Sequence, residues 1–141
     1  MEDSELFPFE LVIAATPRSL QASSASRQSW KTQLQDAARK RITDVMELTW
    51  LDDRPLAVSL FYFCPAPMEG DIDNIIKPVM DALIGIVYPD DSVVELVAVQ
   101  KFEPDVAWFV DQPSEMLAMA LDTEPPVLYV RVDDNLAWRY R

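Results

Sequence analysis

Alternating and continuous apolar runs along the chain predict four β-strands. Residues 6–14 are an apolar segment with a proline near its start, and residues 56–64 form a β-rich apolar run typical of a central strand. Residues 93–103 and residues 127–132 have a similar character, and in the last run valine, tyrosine and arginine alternate with purely aliphatic residues. We therefore expect the chain to fold around a sheet.

Three segments place apolar side chains at helical spacing, at residues 30–46, 74–86 and 114–121. The stretch over residues 16–29, rich in serine, glutamine and arginine, is predicted to be an exposed loop that ends with Ser29 as the N-cap of the first helix. Pro78 restricts the start of the second helix, because proline is tolerated in a first turn but not deep inside. The order β-α-β-α-β-(α)-β predicts an α+β fold, a single domain over residues 1–141 with a mixed sheet and two main helices packed on it.

Length and composition are typical of a globular protein. The chain has 141 residues, of which 50% are apolar, and this is enough to build a hydrophobic core. Its apolar runs, such as residues 83–88, are far too short to span a bilayer, and no basic region followed by an apolar segment opens the chain. Cys64 is the single cysteine, so no internal disulfide forms, which fits a reducing compartment. We expect a cytoplasmic protein without a membrane segment.

The net charge of −12 argues against nucleic acid as a partner, because phosphate binding needs basic surface. The charge is unevenly distributed, however. Residues 18–41 hold six basic residues against one acidic residue, a net charge of +5, so the remainder of the chain carries −17. The candidates for phosphate contacts are Arg18, Arg27, Lys31, Arg39, Lys40 and Arg41. Alternatively, these side chains are simply the solvated face of a helix.

The most informative local feature is a set of carboxylates around the second predicted helix. Asp71 and Asp73 lie two residues apart beside Lys77, and Asp90–Asp91 follow the helix. Since the chain contains no histidine, a divalent ion held here would have oxygen ligands only, which favours Mg²⁺, Ca²⁺ or Mn²⁺ over zinc. Carboxylate-bound cations with a nearby lysine suit metal-dependent phosphoryl transfer.

Plainer alternatives exist for the same residues. Asp73 and Asn74 are residue types that commonly cap a helix, and residues 89–92 have the composition of a turn. Asn74, Lys77 and Asp81 lie at i, i+3 and i+7, hence on one helical face. Capping alone explains less well why Asp71, Lys77 and Asp81 accompany the cap, so the spacing leaves a candidate metal site beside these alternatives.

Together these positions form the pattern Asp71-x-Asp73-Asn74-x-x-Lys77-Pro78-x-x-Asp81-Ala82-Leu83-x-Gly85, followed by Asp90-Asp91-Ser92-Val93-Val94. The pattern closely resembles the signature of the RusA-type Holliday junction resolvases. These are small Mg²⁺-dependent endodeoxyribonucleases of α+β fold that work as dimers on four-way DNA junctions in recombination and repair. Well-known members carry arginines directly before the first aspartate, whereas this chain has Pro67-Met68-Glu69-Gly70 there.

The resemblance implies a role for each matching position. Asp71, Asp73 and Asp91 would bind the metal, Mg²⁺ or Mn²⁺ in its place, and with Lys77 they would be the catalytic residues. Asn74, Asp81 and Asp90 would be supporting residues. The implied partners are branched DNA and a second copy of the chain. Two alternatives stay open: a non-catalytic acidic protein of the same fold that binds a basic partner, and a nuclease for a non-junction DNA substrate.

Overall fold

The computed structural model describes residues 7–15, 24–45, 54–68, 72–105, 109–134 and 136. In chain order the elements are β1 (Phe9–Ile13), α1 (Ser24–Val45), β2 (Leu56–Phe63), α2 (Asp73–Leu83), a short 3₁₀ helix η1 (Asp91–Val93), β3 (Val94–Phe102), α3 (Glu115–Asp122) and β4 (Val127–Asp133). This order confirms the predicted α+β fold with a mixed sheet.

The four strands form one sheet in the order β1-β4-β2-β3. β2 pairs with β3 in parallel and with β4 antiparallel, so its prediction as a central strand is confirmed. β1 pairs antiparallel with β4. A parallel pair requires a crossover, and α2 lies in the crossover from β2 to β3. The carboxyl ends of β2 and β3 therefore meet at the same edge of the sheet.

Helices cover both faces of the sheet. On one face α1 and α2 pack on inward-facing residues of the strands, including Leu128 and Val130 of β4. The buried face of α1 has a four-residue period, as its apolar spacing predicts: Trp30, Leu34, Ala38 and Ile42. On the other face α3 packs on Val127 and Tyr129, which alternate with the first set along β4. Among the described helices, none combines the length and apolar character that crossing a membrane requires.

The predicted start of the first helix is wrong. α1 begins at Ser24, so residues 24–29, predicted to be loop, are helical and Ser29 lies inside the helix rather than at its N-cap. Alanine, arginine and glutamine in this stretch are good helix formers, and a helix already nucleated further along propagates through them at little cost. The stretch has no apolar period, and for this reason its sequence predicted a loop.

The bounds of the second helix also differ from the prediction. α2 starts at Asp73, which is its first helical residue rather than part of the incoming loop or cap. It ends at Leu83, three residues before the predicted end, because Ile84 is extended and Gly85 adopts φ +80°, a conformation that glycine accommodates easily. Pro78 is the sixth helical residue, so it lies in the second turn rather than the first. Lacking an N–H, it leaves the Asn74 carbonyl without its helical donor.

A polar cluster ties α3 to the sheet. The carboxylate of Glu10 on β1 accepts hydrogen bonds from the Ser114 hydroxyl and the Tyr129 hydroxyl, and Arg131 Nη1 lies 3.9 Å from it. Ser114 is also the N-cap of α3 and accepts from the Leu117 N–H at 3.1 Å. One carboxylate therefore connects β1, β4 and the start of α3.

This cluster predicts an alkaline limit of stability. Burial, and then the neighbouring Glu10 carboxylate, raise the pKa of Tyr129 to about 12, against about 10 in an unfolded chain. The folded state thus holds the phenolic proton more tightly, so the contribution is complete below pH ~10 and is lost as the pH rises through the folded pKa. We expect Tyr129→Phe to lose stability less steeply than the native chain above pH ~10 in urea unfolding. Equal pH slopes for the two proteins would contradict this assignment.

Candidate functional site

α2 separates the polar motif residues from the core. Asp73, Lys77 and Asp81 recur every four residues, so they follow one another along one side of the helix, with Asp73 and Lys77 exposed. The opposite side is buried through Ile75, Val79, Ala82 and Leu83. This burial fixes the orientation of the helix on the sheet. The polar residues of the motif therefore face outward because their neighbours face inward.

Lys77 and Asp81 form an ion pair, with Lys77 Nζ 3.2 Å from Asp81 Oδ2. The lysine side chain is 73% exposed, and exposed pairs at this helical spacing contribute only a few tenths of a kcal/mol. The ion pair therefore orients the ammonium group along the helix but binds it only weakly. Exchanging Asp81 for a phosphate as the partner of the ammonium group costs little free energy.

The two aspartates after α2 have different environments. Asp90 is the N-cap of η1, and its carboxylate accepts the Ser92 N–H at 3.1 Å. Hydrogen bonds from Ser92 lower the pKa of Asp90 below its usual range. Asp91, the first residue of η1, makes no side-chain hydrogen bond or ion pair with the other described residues. Asp90 thus has a structural role here, which agrees with the alternative interpretation of residues 89–92 as a turn, and Asp91 retains its acceptor capacity.

Tyr88 connects the end of α2 to this turn. It is fully buried, and its hydroxyl donates to the Met80 carbonyl at 3.0 Å. Burial raises its pKa, and the negative charges of Asp91 and Asp81 raise it further. Both carboxylates therefore lie near one buried phenol, which places Asp91 near the carboxyl-terminal half of α2. Asp73 precedes Asp81 by eight residues, so the two residues are separated by about 12 Å along the helix axis.

The motif carboxylates fall into two groups. Asp81 is paired with Lys77 and Asp90 caps η1, whereas Asp73 and Asp91 have no side-chain hydrogen bond or ion pair within the described part of the chain. Unpaired carboxylate oxygens are the donor chemistry that Mg²⁺ and Mn²⁺ take in proteins. The described residues contain no group of three or more acidic or cysteine side chains placed to hold a metal ion. Asp71, the remaining predicted ligand, lies outside those residues.

The predicted phosphate-binding residues are distributed along and before α1. Arg39 and Lys40 are exposed, and Arg39 Nη1 lies 3.5 Å from Asp36. Arg41 instead donates from Nε to the Glu10 carbonyl at 3.0 Å, which fastens α1 to β1. The two remaining candidates within α1 are Lys31, which is half-buried, and Arg27, which lies in the first turn of the helix. Arg18 lies outside the described residues.

α1 lies directly beside α2. Gln35 Nε2 donates to the Ala82 carbonyl at 3.2 Å, and both helices pack on the same face of the sheet. The basic residues of α1 and the acid–lysine side of α2 thus belong to one layer of the molecule. Sequence patterns did not indicate this contact or the roles of Tyr88 and Gln35, because each depends on which elements pack together.

A family model for the endodeoxyribonuclease RusA matches residues 12–108. The match spans about two thirds of the chain and includes the whole acidic motif, α1, α2 and the parallel pair β2–β3. The chain belongs to the RusA endodeoxyribonuclease family. The predicted resemblance is thereby confirmed, and membership places the chain among the nucleases. A comparison with curated proteins gave no match.

Proposed function

We propose that this RusA-family chain is a Mg²⁺-dependent endodeoxyribonuclease that resolves Holliday junctions or related branched DNA. The observation that carries the proposal is the state of the motif carboxylates. The family match covers all of them, and the structure leaves Asp73 and Asp91 without competing hydrogen bonds or ion pairs among the described residues while Asp81 and Asp90 are engaged. A purely structural motif would use these carboxylates in the fold.

Asp71, Asp73 and Asp91 would hold the metal, for which Mn²⁺ can substitute. When bound, the ion would supply neutralisation of phosphate charge and a lowered pKa of coordinated water. The ligand chemistry fits this role because carboxylate oxygens suit hard divalent cations. Asp73 is exposed at the start of α2, and a DNA phosphate would lie beside it.

Lys77 would act directly on the substrate. Lys77 lies one helical turn after Asp73, and its ammonium group is held toward Asp81 by a weak ion pair, so it can bind a non-bridging phosphate oxygen or orient the attacking water. Asp81 would return the ammonium group to its resting position after product leaves. Asn74, in the first turn of α2, and Asp90, in the cap of η1, would keep the two ends of the motif in place.

DNA would approach across the layer formed by α1 and α2. The exposed Arg39 and Lys40 of α1 would contact phosphates on one side of the motif, while the rest of the chain would repel the duplex. Binding is therefore expected to weaken steeply with salt. A homodimer would present two such layers, and two sites on one junction permit paired nicks in opposing strands.

Cleavage of a labelled four-way junction tests the proposal directly. The native chain at low salt, with Mg²⁺ or with a chelator, is compared on the junction, a flap and a linear duplex of the same sequence. We expect paired symmetric nicks in the junction, dependent on Mg²⁺ and absent from the linear duplex. Cleavage of the flap with an intact junction would replace the junction with another branched substrate.

The net charge of −12 favours one competing function, a non-catalytic protein of this fold that binds a basic partner. That function predicts no cleavage of any of the three DNA substrates by folded protein. It also predicts that this chain binds a basic protein and that a chelator does not change the affinity. The same preparation distinguishes the two functions, since only the nuclease requires a divalent ion.

A further inference from the structure

β3 is an edge strand of the sheet. It has nine residues, Val94–Phe102, and in the strand order β1-β4-β2-β3 it pairs with β2 alone among the described strands. The opposite edge, β1, has five residues, follows Pro8, and its Glu10 carbonyl accepts from Arg41 Nε. Proteins keep edge strands from pairing with other chains by shortening them, by placing proline or charge in them, or by covering them. Residues 96–100 of β3 contain neither proline nor charge, so this edge can accept another strand.

Alternate residues of β3 direct their backbone groups away from β2. The Phe102 carbonyl accepts the Cys64 N–H at 2.9 Å, so the backbone of Phe102 faces β2. Successive residues of a strand present their N–H and C=O groups to opposite sides, and the pairing with β2 is regular from Leu96 onward. Val97 and Val99 therefore point both backbone groups outward, where a second strand can bind them.

The sequence of β3 is complementary to itself when two copies pair antiparallel about Ala98. In this register Val97 lies opposite Val99 of the second copy, and these two residues exchange their outward hydrogen bonds. Glu95 lies opposite Lys101 of the second copy. Because the arrangement has a two-fold axis, each pair occurs twice. Alanine on the axis suits the close approach of two facing residues that do not hydrogen-bond to each other.

Charge selects this register over its neighbours. Facing opposite charges stabilise an antiparallel pair and facing like charges destabilise it. Sliding one strand by two residues would place Glu95 opposite Glu103 of the second copy, and sliding it the other way would place Glu95 opposite Val99. The Lys101 side chain is 39% exposed, and its Nζ lies 2.9 Å from Glu103, which also accepts the Met68 N–H. An ammonium group has three donors, so Lys101 can keep this contact and still pair with Glu95 of the second copy.

Pairing through β3 determines how the helices of the two copies are arranged. The two-fold axis through an antiparallel strand pair is perpendicular to the sheet, so each face of one sheet continues into the same face of the other. α1 and α2 cover one face and α3 packs on the opposite face. The α1–α2 layers of both copies would therefore lie on the same side of one continuous sheet.

We infer that two copies of this chain associate through β3, antiparallel about Ala98, so that their sheets join into one. The inference deepens the proposed function, in which two sites act on one junction, by naming the surface that joins the copies. The association itself requires neither DNA nor a divalent ion. It would place the exposed Arg39 and Lys40 of both copies on one side, where a single branched DNA can contact them.

Sedimentation equilibrium of the native chain, without DNA or metal, measures the association. We expect the mass of two chains at high protein concentration and dissociation on dilution. Hydrogen exchange at the Val97 and Val99 amides should be slower in the dimer, whereas that of Ala98, whose N–H already faces β2, should change less. Val97→Pro removes an outward N–H and leaves the hydrogen bonds to β2 in place, so it should give a monomer with a native circular dichroism spectrum.

Reversed charges test the register without changing the backbone. Glu95→Lys places lysine opposite lysine and Lys101→Glu places glutamate opposite glutamate, so each variant alone should associate roughly tenfold more weakly than the native chain. An equal mixture of the two variants should recover native association, because both cross-strand pairs again have opposite charges. Glu115→Lys, the same reversal on the exposed first turn of α3, is the control for altered net charge and should associate as the native chain does.

The outcomes separate this inference from the proposed function. A native chain that stays monomeric at every concentration overturns the inference, even if it cuts junctions. A dimer that neither Val97→Pro nor the reversed charges weaken uses another surface, and a mixture that does not recover association excludes this register; both results overturn the inference. Where Val97→Pro does not fold, the reversed-charge variants decide. A dimer joined through β3 that cuts no DNA leaves the inference standing and removes the proposed function.

Discussion

Replacing Asp73 by asparagine is expected to reduce Mg²⁺-dependent junction cleavage by roughly 100- to 10,000-fold while leaving the protein folded. Loss of a metal-binding carboxylate removes several kcal/mol of transition-state stabilisation, and each 1.36 kcal/mol corresponds to a factor of ten in rate. Asp73 is exposed and has no side-chain hydrogen bond or ion pair with another described residue, so the fold does not depend on it. Its charge at the helix start contributes at most about 1 kcal/mol.

A matched variant separates catalysis from charge. Asp122→Asn makes the same substitution at an exposed aspartate of α3, on the opposite face of the sheet. We expect that variant to cut junctions at the native rate, with both proteins unfolding close to the native urea midpoint. Native-rate cleavage by Asp73→Asn at saturating Mg²⁺ would remove Asp73 from the ligand set. Equal losses in the two variants would assign the effect to net charge instead.

The fold was predictable wherever burial imposes a period. Leu34 and Ala38 recur at helical spacing because α1 packs on the sheet, and the alternation along β4 reflects helices on both faces. Prediction failed where this constraint ends. Residues 24–29 are helical although their sequence has no apolar period and therefore resembles a loop. Ile84 and Ile86 continue the apolar spacing of α2, but Gly85 in a left-handed conformation turns the chain away.

In the candidate site, too, some features could be predicted from the sequence and others could not. Asp73, Lys77 and Asp81 lie on a single helix, so their spacing predicts that they share a face. Contacts between distant segments are set by packing, and no periodicity indicates them. The position of Tyr88 near both Asp81 and Asp91 depends on the turn after α2, and the Met68–Glu103 hydrogen bond depends on β2 and β3 being parallel. Of these two contacts, only the hydrogen bond could have been anticipated from the sequence, because neighbouring parallel strands bring their carboxyl ends to one edge of the sheet.

Leu83→Ala is expected to lower the free energy of unfolding by about 2–5 kcal/mol, the usual cost of removing a fully buried leucine side chain. Leu83 has 0% of its surface exposed and ends α2 against the core shared with α1 and the sheet. Its carbonyl accepts from the N–H groups of Ile86 and Val87, which an alanine leaves in place. The loss therefore reports side-chain packing and not the turn.

Leu96→Ala provides the control in urea unfolding, because Leu96 is 41% exposed on the edge strand β3 and its truncation should cost within about 0.5 kcal/mol. Similar losses for both leucines would mean that α2 is not anchored through Leu83. Where Leu83→Ala is still folded, its cleavage rate per folded molecule should stay near native, because Asp73 and Lys77 occupy the opposite side of α2. The buried side of α2 would then govern how much protein is folded, and the exposed side how fast the folded protein cuts.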